Sequence, residues 1–335
     1  MPRQSRIDGA GALHHVICRG INRQRIFTDK QDYSMFLKRL GDLLLETKTS
    51  CFAWALLPNH FHLLLRTGAA PLSTLMKRLL TGYAVTFNRR HARHGHLFQN
   101  RYKSILCQEE SYLLELVRYI HLNPLRANLV PECRSLASYP YCGHGVLMGR
   151  RNAEWQDRNY VLGLFADSEH LARRQYSRFV RDGIAQGSRP DLTGGGLLRS
   201  HGGWTGLRAL REAGDYQRGD ERILGDGAFV TDVLERAEER FKEKDRLRAR
   251  GYDLDKLIMR VAELTRLTPE ELLDSLRDAQ RTKARSILCY WATEKLDIPQ
   301  TQLAQLLRRT QAAISYAVRR GKALVEEHSY QIEEQ

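Results

Sequence analysis

Acidic side chains are missing from one long stretch of this sequence, because no Asp or Glu lies between Ser50 and Gln108. Residues 1–150 hold 21 Lys and Arg against 9 Asp and Glu, whereas residues 151–335 hold 32 against 30. A basic field this concentrated attracts phosphate backbones and raises encounter rates with polyanions. Charge that only maintains solubility is the alternative, but the length of the acid-free stretch favours nucleic acid as the partner.

Long apolar runs and paired cysteines are missing as well. No segment approaches the ~20 consecutive apolar residues of a membrane span, and no basic amphipathic helix has the clean apolar face that a membrane surface requires. The first residues lack the pattern of a secretory signal, so we expect none. The six cysteines are scattered without a Cys-x-x-Cys pair, which is typical of reduced thiols. We therefore expect a cytoplasmic protein with no membrane partner.

The first 145 residues alternate between strand and helix patterns. Strands are predicted over 14–20, 51–57, 60–66 and 102–108, and helices over 29–48, 71–91 and 109–130. Pro124 should end or kink the last helix. The order of these elements is that of a ferredoxin-like antiparallel sheet with one helix added at the end, so an α+β fold is predicted.

The rest of the chain divides into two further predicted parts. Residues 146–251 form a connector of uncertain structure, partly helical, with a Gly-rich stretch over 187–206 and a charged helix over 226–251. Residues 252–330 contain consecutive short helices, which predict an all-α domain. The last two helices meet at a short turn around Arg309, and this arrangement predicts a helix-turn-helix. A plain helical bundle is the alternative.

Two histidines, His60 and His62, flank Phe61 in the predicted third strand. Side chains at positions i and i+2 of a strand share a face, so the two imidazoles project together and can chelate one divalent cation. A bare His-x-His is more often a pair of strand histidines without a ligand. The metal interpretation therefore needs a third ligand and a nucleophile elsewhere.

Tyr119 and Asn123 are the candidates for those two roles. Because they are four residues apart on a predicted helix, they share one helix face. The amide oxygen of Asn123 suits a hard cation, and a phenol can attack a phosphodiester that a metal ion polarises. Taken alone, Tyr119 is an ordinary helix residue and Asn123 a C-terminal cap.

The stretches "LLPNHFHLLL" (56–65) and "YIHLNPLRANLV" (119–130) together resemble the single-tyrosine HUH nucleases. These are transposases of the insertion-sequence-200 type, and the likeness is to their REP-associated tyrosine transposase branch. The His-hydrophobic-His motif is His60-Phe61-His62, and the Tyr-x-x-x-Asn-Pro signature runs from Tyr119 to Pro124. The resemblance covers roughly residues 10–145, including the opening "HHVICRGINRQRIF".

The resemblance implies the HUH nuclease fold and a specific chemistry. His60, His62 and Asn123 would hold Mg²⁺ or Mn²⁺, although ligand softness alone would also admit Zn²⁺. Tyr119 would attack a phosphate of single-stranded DNA beside a hairpin, leaving a 5′-phosphotyrosine link and a free 3′-OH. Insertion-sequence members commonly have Gln at the position of Asn123. Relatives act as monomers or as homodimers, and a bacterial, nucleoid-associated location is implied.

Basic and aromatic residues near the motifs are candidates for holding the strand. Phosphate contacts are predicted at Lys77, Arg78, Arg89, Arg90, Arg101 and Lys103. Base stacking is possible on Tyr83, Phe98 and Tyr102, whereas core packing is favoured for Phe87. His91, His94 and His96 resemble a second metal cluster, but phosphate contact or solvent exposure is the preferred interpretation.

The C-terminal region resembles the DNA-binding domain of the replication initiator DnaA. The likeness rests on a basic stretch before the third helix and on the helix "RRTQAAISYAVRR". The usual Asp-His-Thr-Thr of that family is replaced by residues 310–313, so duplex DNA of a different sequence is the expected partner. The predicted contacts are Arg281, Lys283, Arg285, Arg309, Gln311 and Ser315.

The sequence thus predicts a metal-dependent, site-specific endonuclease and strand transferase for single-stranded DNA, of the transposase class. Its substrates would be mobile elements or repeated palindromic hairpins. A non-catalytic, sequence-specific DNA-binding regulator that retains the fold is the alternative. An RNA-binding protein is a third possibility, and it would prefer ribose-containing strands.

Overall fold

A computed structural model describes residues 7, 9, 11–68, 70–187, 189, 192, 220, 222–274, 276, 278–296 and 298–332. The chain divides into two compact units, residues 1–233 and 234–335. Each unit has its own hydrophobic core. In the part of the chain that the structure describes, no helix has the length and apolarity needed to cross a membrane.

One five-stranded sheet forms the centre of the first unit. Its strands are β1 (Leu13–Arg19), β2 (Ser50–Leu57), β3 (His60–Arg66), β4 (Lys103–Cys107) and β5 (Ile223–Leu224). Their order in the sheet is β2-β3-β1-β4-β5. The first four are antiparallel to their neighbours, in the order of a ferredoxin-like sheet, so the predicted α+β fold is confirmed. The two-residue β5 pairs in parallel with β4 and was not predicted.

Helices cover both faces of the sheet because the apolar residues of β3 alternate. Phe61, Leu63 and Leu65 point to the face covered by α1 (Lys30–Thr47) and α2 (Leu72–Arg90). Leu64 points to the other face, which α3 (Glu109–Arg126) covers. Pro124 lies inside the last turn of α3, and the helix ends two residues later.

Three further helices pack on the α3 side of the sheet. They are α4 (His144–Leu147), α5 (Arg158–Gly163) and α6 (Glu169–Asp182). Val161, Ala172, Tyr176 and Val180 join the same buried cluster as Ile120 of α3. The beginning of the predicted connector is therefore part of the first compact unit. Most of the Gly-rich stretch over 187–206 lies outside the described residues.

The second unit is helical, as predicted. The division between the units falls within α7 (Gly227–Ala249). The following helices are α8 (Leu254–Thr265), α9 (Pro269–Leu273), α10 (Ala279–Glu294), α11 (Gln300–Leu306) and α12 (Gln311–His328). Gly321 lets α12 approach α10 closely, since a Cβ there would lie 1.9 Å from the Ser286 carbonyl oxygen. A four-residue turn joins α11 to α12, and Thr310 caps α12 by accepting the Ala313 N–H.

Candidate active site

The two motif histidines project from β3 toward α3. Their ring centroids are 5.2 Å apart, as the two-residue period of a strand dictates. His62 is buried, whereas His60 at the start of the strand is partly exposed. One edge of the pair is therefore open to a ligand.

Helix α3 places Tyr119 against this pair. The centroid of the Tyr119 ring is 5.8 Å from that of His62, with the rings nearly perpendicular. Tyr119 is partly exposed, so its side chain can reach both the buried histidine and solvent. The structure thus brings together a phenol and two imidazoles that are about sixty residues apart in sequence.

Asn123 lies one helical turn after Tyr119. Its side-chain nitrogen donates to the Tyr119 carbonyl oxygen at 3.0 Å, which holds the amide against the helix and leaves Oδ1 as its acceptor atom. Asn123 makes no hydrogen bond to either histidine within the described residues. Its place as the third ligand stays a prediction.

A third histidine, His15 on β1, completes the cluster. Its Nε2 lies 3.0 Å from His62 Nδ1, and its ring is 5.9 Å from that of Tyr119. His15 is fully buried. Sequence reasoning missed it, although strand alternation and the β1–β3 pairing together would have placed it on this face.

The hydrogen-bond partners assign the tautomers of these rings. His15 Nδ1 lies 3.3 Å from the Leu192 carbonyl oxygen, which can only accept. Neutral His15 therefore donates from Nδ1 and accepts at Nε2, so His62 donates from Nδ1. This leaves the lone pair of His62 on Nε2.

His60 is held in the same way by its neighbour. Its Nδ1 lies 2.7 Å from Asn59 Oδ1, and Asn59 Nδ2 donates to the Arg23 carbonyl oxygen. That second bond fixes the amide so that Oδ1 accepts from His60. Both motif histidines consequently present Nε2 lone pairs, the tautomer in which a metal-binding imidazole is typically fixed by its outer partners.

Burial keeps these imidazoles neutral. It lowers the pKa of His60 to about 4, and the charge of Arg19 adds to the effect. Burial also lowers the pKa of His62 well below 6.5, with smaller contributions from His15 and His60. Neutral imidazole is the form that binds a cation. Two neutral nitrogens beside an amide oxygen fit a divalent metal ion.

Basic residues lie along the exposed edge of the site. Arg19 and Arg23 are exposed; the charge of Arg19 acts on His60, and the Arg23 carbonyl oxygen accepts from Asn59. Lys103 of β4 lies in one row across the sheet with Ile17 and His62. Arg101 is exposed next to it. Of the predicted phosphate contacts, Arg101 and Lys103 lie on this side, and Arg19 and Arg23 are additional basic residues here.

The predicted contacts on α2 lie elsewhere. Because α2 covers the opposite face of the sheet, its exposed Lys77 and Arg89 are behind the histidines. Arg78 forms a two-bond ion pair with Glu46. These placements separate the α2 cations from the candidate site.

Arg90 is held by carboxylates instead of being open to phosphate. It pairs with Asp29 and Asp32 at 2.5 Å each, and its DNA contact stays a prediction. His91 joins the same carboxylates, and the three could surround one cation. The Arg90 guanidinium already binds both carboxylates, so the cluster ties the start of α1 to the end of α2.

Most of the predicted stacking aromatics are in the core. Tyr83, Phe87 and Tyr102 are buried in the α1–α2 cluster, which confirms core packing for Phe87 and corrects the other two. Tyr83 donates to the Ile26 carbonyl oxygen at 2.5 Å. Phe98 is partly exposed and remains a candidate.

The predicted basic contacts before and within α10 are mostly engaged within the second unit. Arg285 is buried and donates to the carbonyl oxygens of Leu272, Leu276 and Asp274 at 2.7 Å each. A guanidinium used in this way holds the α9–α10 turn together, and its DNA contact stays a prediction. Arg281 pairs with Asp274 at 2.7 Å.

The remaining predicted contacts of this unit vary in exposure. Lys283 lies over the Tyr330 ring, and Arg309 is partly exposed. Gln311 is exposed at the start of α12, whereas Ser315 Oγ donates to Gln300 Oε1 at 2.7 Å. Tyr316, Arg319 and Arg320 are further exposed residues of α12.

Comparisons with known proteins agree with this site. Residues 11–123 match the sequence model of a family described as transposase, IS200 like. The match includes both motif histidines and ends at Asn123. The predicted resemblance is thereby confirmed, because this part of the chain is similar to the insertion-sequence-200-like transposases. The likeness of the C-terminal region to DnaA stays a prediction.

One similar solved structure is described as a REP-associated tyrosine transposase bound to a REP hairpin. The similarity covers 47% of this chain and 98% of that chain, at 15% sequence identity and a TM-score of 0.38. No curated protein matches the chain.

Proposed function

We propose that this chain cleaves and rejoins single-stranded DNA, with Tyr119 as the nucleophile, during transposition or the processing of REP-like hairpins. The observation that carries the proposal is the approach of Tyr119 to His62. A phenol beside two neutral imidazoles suits metal-assisted attack on a phosphodiester. The family match covers the same residues.

The metal ion in this proposal is Mg²⁺ or Mn²⁺. His60, His62 and Asn123 would hold it, and the bound ion would polarise the non-bridging oxygens of the phosphate under attack. His15 and Asn59 orient the two imidazoles through their Nδ1 atoms. A misdirected Nε2 lone pair would lose the ion, so these partners belong to the proposed site.

The reaction itself conserves the energy of the phosphodiester. Tyr119 Oη forms a bond to phosphorus while the bond from phosphorus to the 3′ oxygen breaks. The phenolic proton passes, through solvent, to the departing oxygen, which becomes a free 3′-OH. Attack by such a 3′-OH on the phosphotyrosine link rejoins DNA without ATP.

The geometry supports a chain that acts alone. Tyr119 approaches His62 of its own chain, so no residue from a second copy is needed to complete the triad of side chains. The exposed Arg19, Arg23 and Arg101 would hold the strand at the open edge. Binding of duplex DNA by the second unit is a separate part of the proposal.

A cleavage assay tests the proposal directly. A labelled single strand beside a hairpin is incubated with Mg²⁺ and the chain, and a covalent adduct is expected on a denaturing gel. The adduct should disappear in Tyr119→Phe and persist in Tyr112→Phe, a partly exposed tyrosine two turns earlier on α3. Failure to cleave any of a broad set of hairpins would favour a non-catalytic DNA-binding regulator. A preference for RNA strands would favour an RNA-binding protein.

A further inference from the structure

Arg126, the last residue of α3, lies beside the proposed nucleophile. It follows Tyr119 by two helical turns, so both side chains lie on one helix face. The Arg126 guanidinium carbon lies over the Tyr119 ring, 5.3 Å from the ring centroid. Its Nη1 is buried and has no hydrogen-bond partner among the described residues.

The positive charge of Arg126 is not compensated by a negative charge among the described residues. Arg118 and Arg189 are close, and both pair with Glu115, at 2.6 Å and 3.3 Å. No described carboxylate pairs with Arg126 itself. Burial lowers the pKa of Arg126, Tyr119 opposes this shift, and the two neighbouring arginines add to it. A half-buried cation with an unused, buried N–H opposes folding, so its presence calls for an explanation.

A structural role does not account for the unused Nη1. A cation near the C-terminus of a helix is favoured by the helix dipole, and a guanidinium over a phenol gains cation–π energy. Neither interaction requires Nη1 to be buried and unbonded. Arg285 illustrates the structural alternative, because all of its bonds go to carbonyl and carboxylate oxygens of one turn.

We propose that Arg126 binds the phosphate that Tyr119 attacks, its guanidinium donating to a non-bridging oxygen. The inference rests on the proposed function. As the bond from Tyr119 Oη to phosphorus forms and the bond to the 3′ oxygen breaks, negative charge accumulates on the non-bridging oxygens. A fixed donor aimed at that charge is worth most at this moment. The same donor would hold the phosphotyrosine diester afterwards, since that group stays attached to the Tyr119 ring.

Arg126→Met separates this role from a structural one, because Met keeps the aliphatic stem and removes the charged guanidinium. In single-turnover cleavage of the labelled strand we expect a fall of about 100-fold or more, the usual effect of losing one such donor. The melting temperature should stay equal or rise, as expected where function is maintained against stability. The cleavage rate of Arg126→Lys should lie between that of Arg126→Met and that of the wild-type chain. Arg134→Met, at an exposed arginine paired with Glu132, should change neither quantity.

Two results would overturn the proposal. Arg126→Met could cleave within about threefold of the wild-type rate, or its melting temperature could fall in parallel with its activity. The first result would mean that Arg126 has no role in cleavage, and the second that Arg126 only stabilises the fold.

A second readout does not depend on cleavage. In the full chain carrying ¹⁵N-labelled arginine, the Arg126 side-chain signal is the one missing from Arg126→Met. Inorganic phosphate should shift that signal in the wild-type chain. If phosphate shifts the Arg126 signal but the chain cleaves no strand, Arg126 binds anions as proposed and the proposed function is wrong. If it stays still at saturating phosphate, the Arg126 proposal fails whatever the cleavage assay gives.

Discussion

His62 is positioned for a cation by a chain of hydrogen bonds that starts outside the motif. The Leu192 carbonyl fixes the tautomer of His15, and His15 fixes that of His62. Asn59 does the same for His60. The motif supplies the two ligands, whereas their lone pairs are directed by residues that the motif does not include.

Replacing His15 should weaken metal binding without removing a ligand. We expect His15→Leu to lower the affinity for Mn²⁺ by about 10- to 100-fold, the usual effect of losing such an outer partner. Calorimetric titration measures this. His14→Leu is the matched control, because His14 points to the opposite face and bonds Ser104. Equal affinities in the two variants would contradict the assigned role of His15.

The pH dependence of metal binding follows from the lowered pKa of His60. Protonation removes the lone pair, and the pKa has fallen from 6.5 to about 4 because the ring is buried. Mn²⁺ affinity should therefore change little from pH 7 to about pH 5 and fall as the pH approaches 4. Titrations at several pH values check this. A loss centred near pH 6.5 would show that the imidazole is exposed to solvent.

At the residue scale, the sequence predicted the members of the site that lie within recognisable spacings. His60 and His62 follow from strand alternation, and Tyr119 with Asn123 from the helical period. His15 and Arg126 could not be assigned roles in this way. The role of His15 depends on which strand lies beside β3, and that of Arg126 on which of its nitrogens lacks a partner.

At the scale of secondary-structure elements, α3 is anchored by a buried polar cluster. Tyr176 Oη on α6 lies 2.7 Å from Nδ1 of His121 on α3 and 2.7 Å from Nδ1 of His144 on α4. The single hydroxyl hydrogen goes to one ring, and the oxygen accepts from the other. The cluster therefore connects the helix that carries Tyr119 to two helices from beyond residue 143.

Tyr176→Phe should loosen this anchor. Both imidazoles lose a partner in a fully buried place, which costs about 1–3 kcal/mol of folding free energy. Urea unfolding at pH 7 measures the loss. Tyr316→Phe, at an exposed residue of the second unit, should leave stability unchanged. No loss in Tyr176→Phe would mean that water satisfies both rings.

The elements were predictable where a clear period exists. The first four strands and α1 to α3 agree with the sequence pattern to within a few residues. β5 has only two residues, too few to have a period, and it pairs with β4 from over a hundred residues away. The α2 cations were expected near the substrate, but sequence does not say which face of the sheet a helix covers.

At the scale of the whole molecule, we propose that the first unit is catalytic and that the helical second unit binds duplex DNA. Linking two binding units raises the effective concentration of the second at its target without new contacts. The proposed duplex-binding surface consists of exposed residues in the first ten positions of α12, among them Gln311, Arg319 and Arg320.

Removing charge from α12 should affect the binding of duplex DNA and not the cleavage of single-stranded DNA. In the full chain, Arg320→Ala should weaken duplex binding and reduce the salt slope by about one. Cleavage of a short single strand without duplex flanks should not change. Fluorescence anisotropy over a range of salt concentrations measures the binding, with Arg266→Gln at an exposed arginine of the same unit as control. Equal salt slopes for the two variants would remove α12 from the duplex interface.

The central claim is that the phenol of Tyr119 forms a covalent bond to DNA. Peptide mass spectrometry of the trapped adduct, formed with Mn²⁺ and a hairpin-flanked single strand, tests it most directly. We expect a 5′-phosphodeoxynucleotide on the peptide that contains Tyr119, with an equal amount of free 3′-OH product. A nucleotide on any other residue, or cleavage that leaves no nucleotide on the protein, would contradict it.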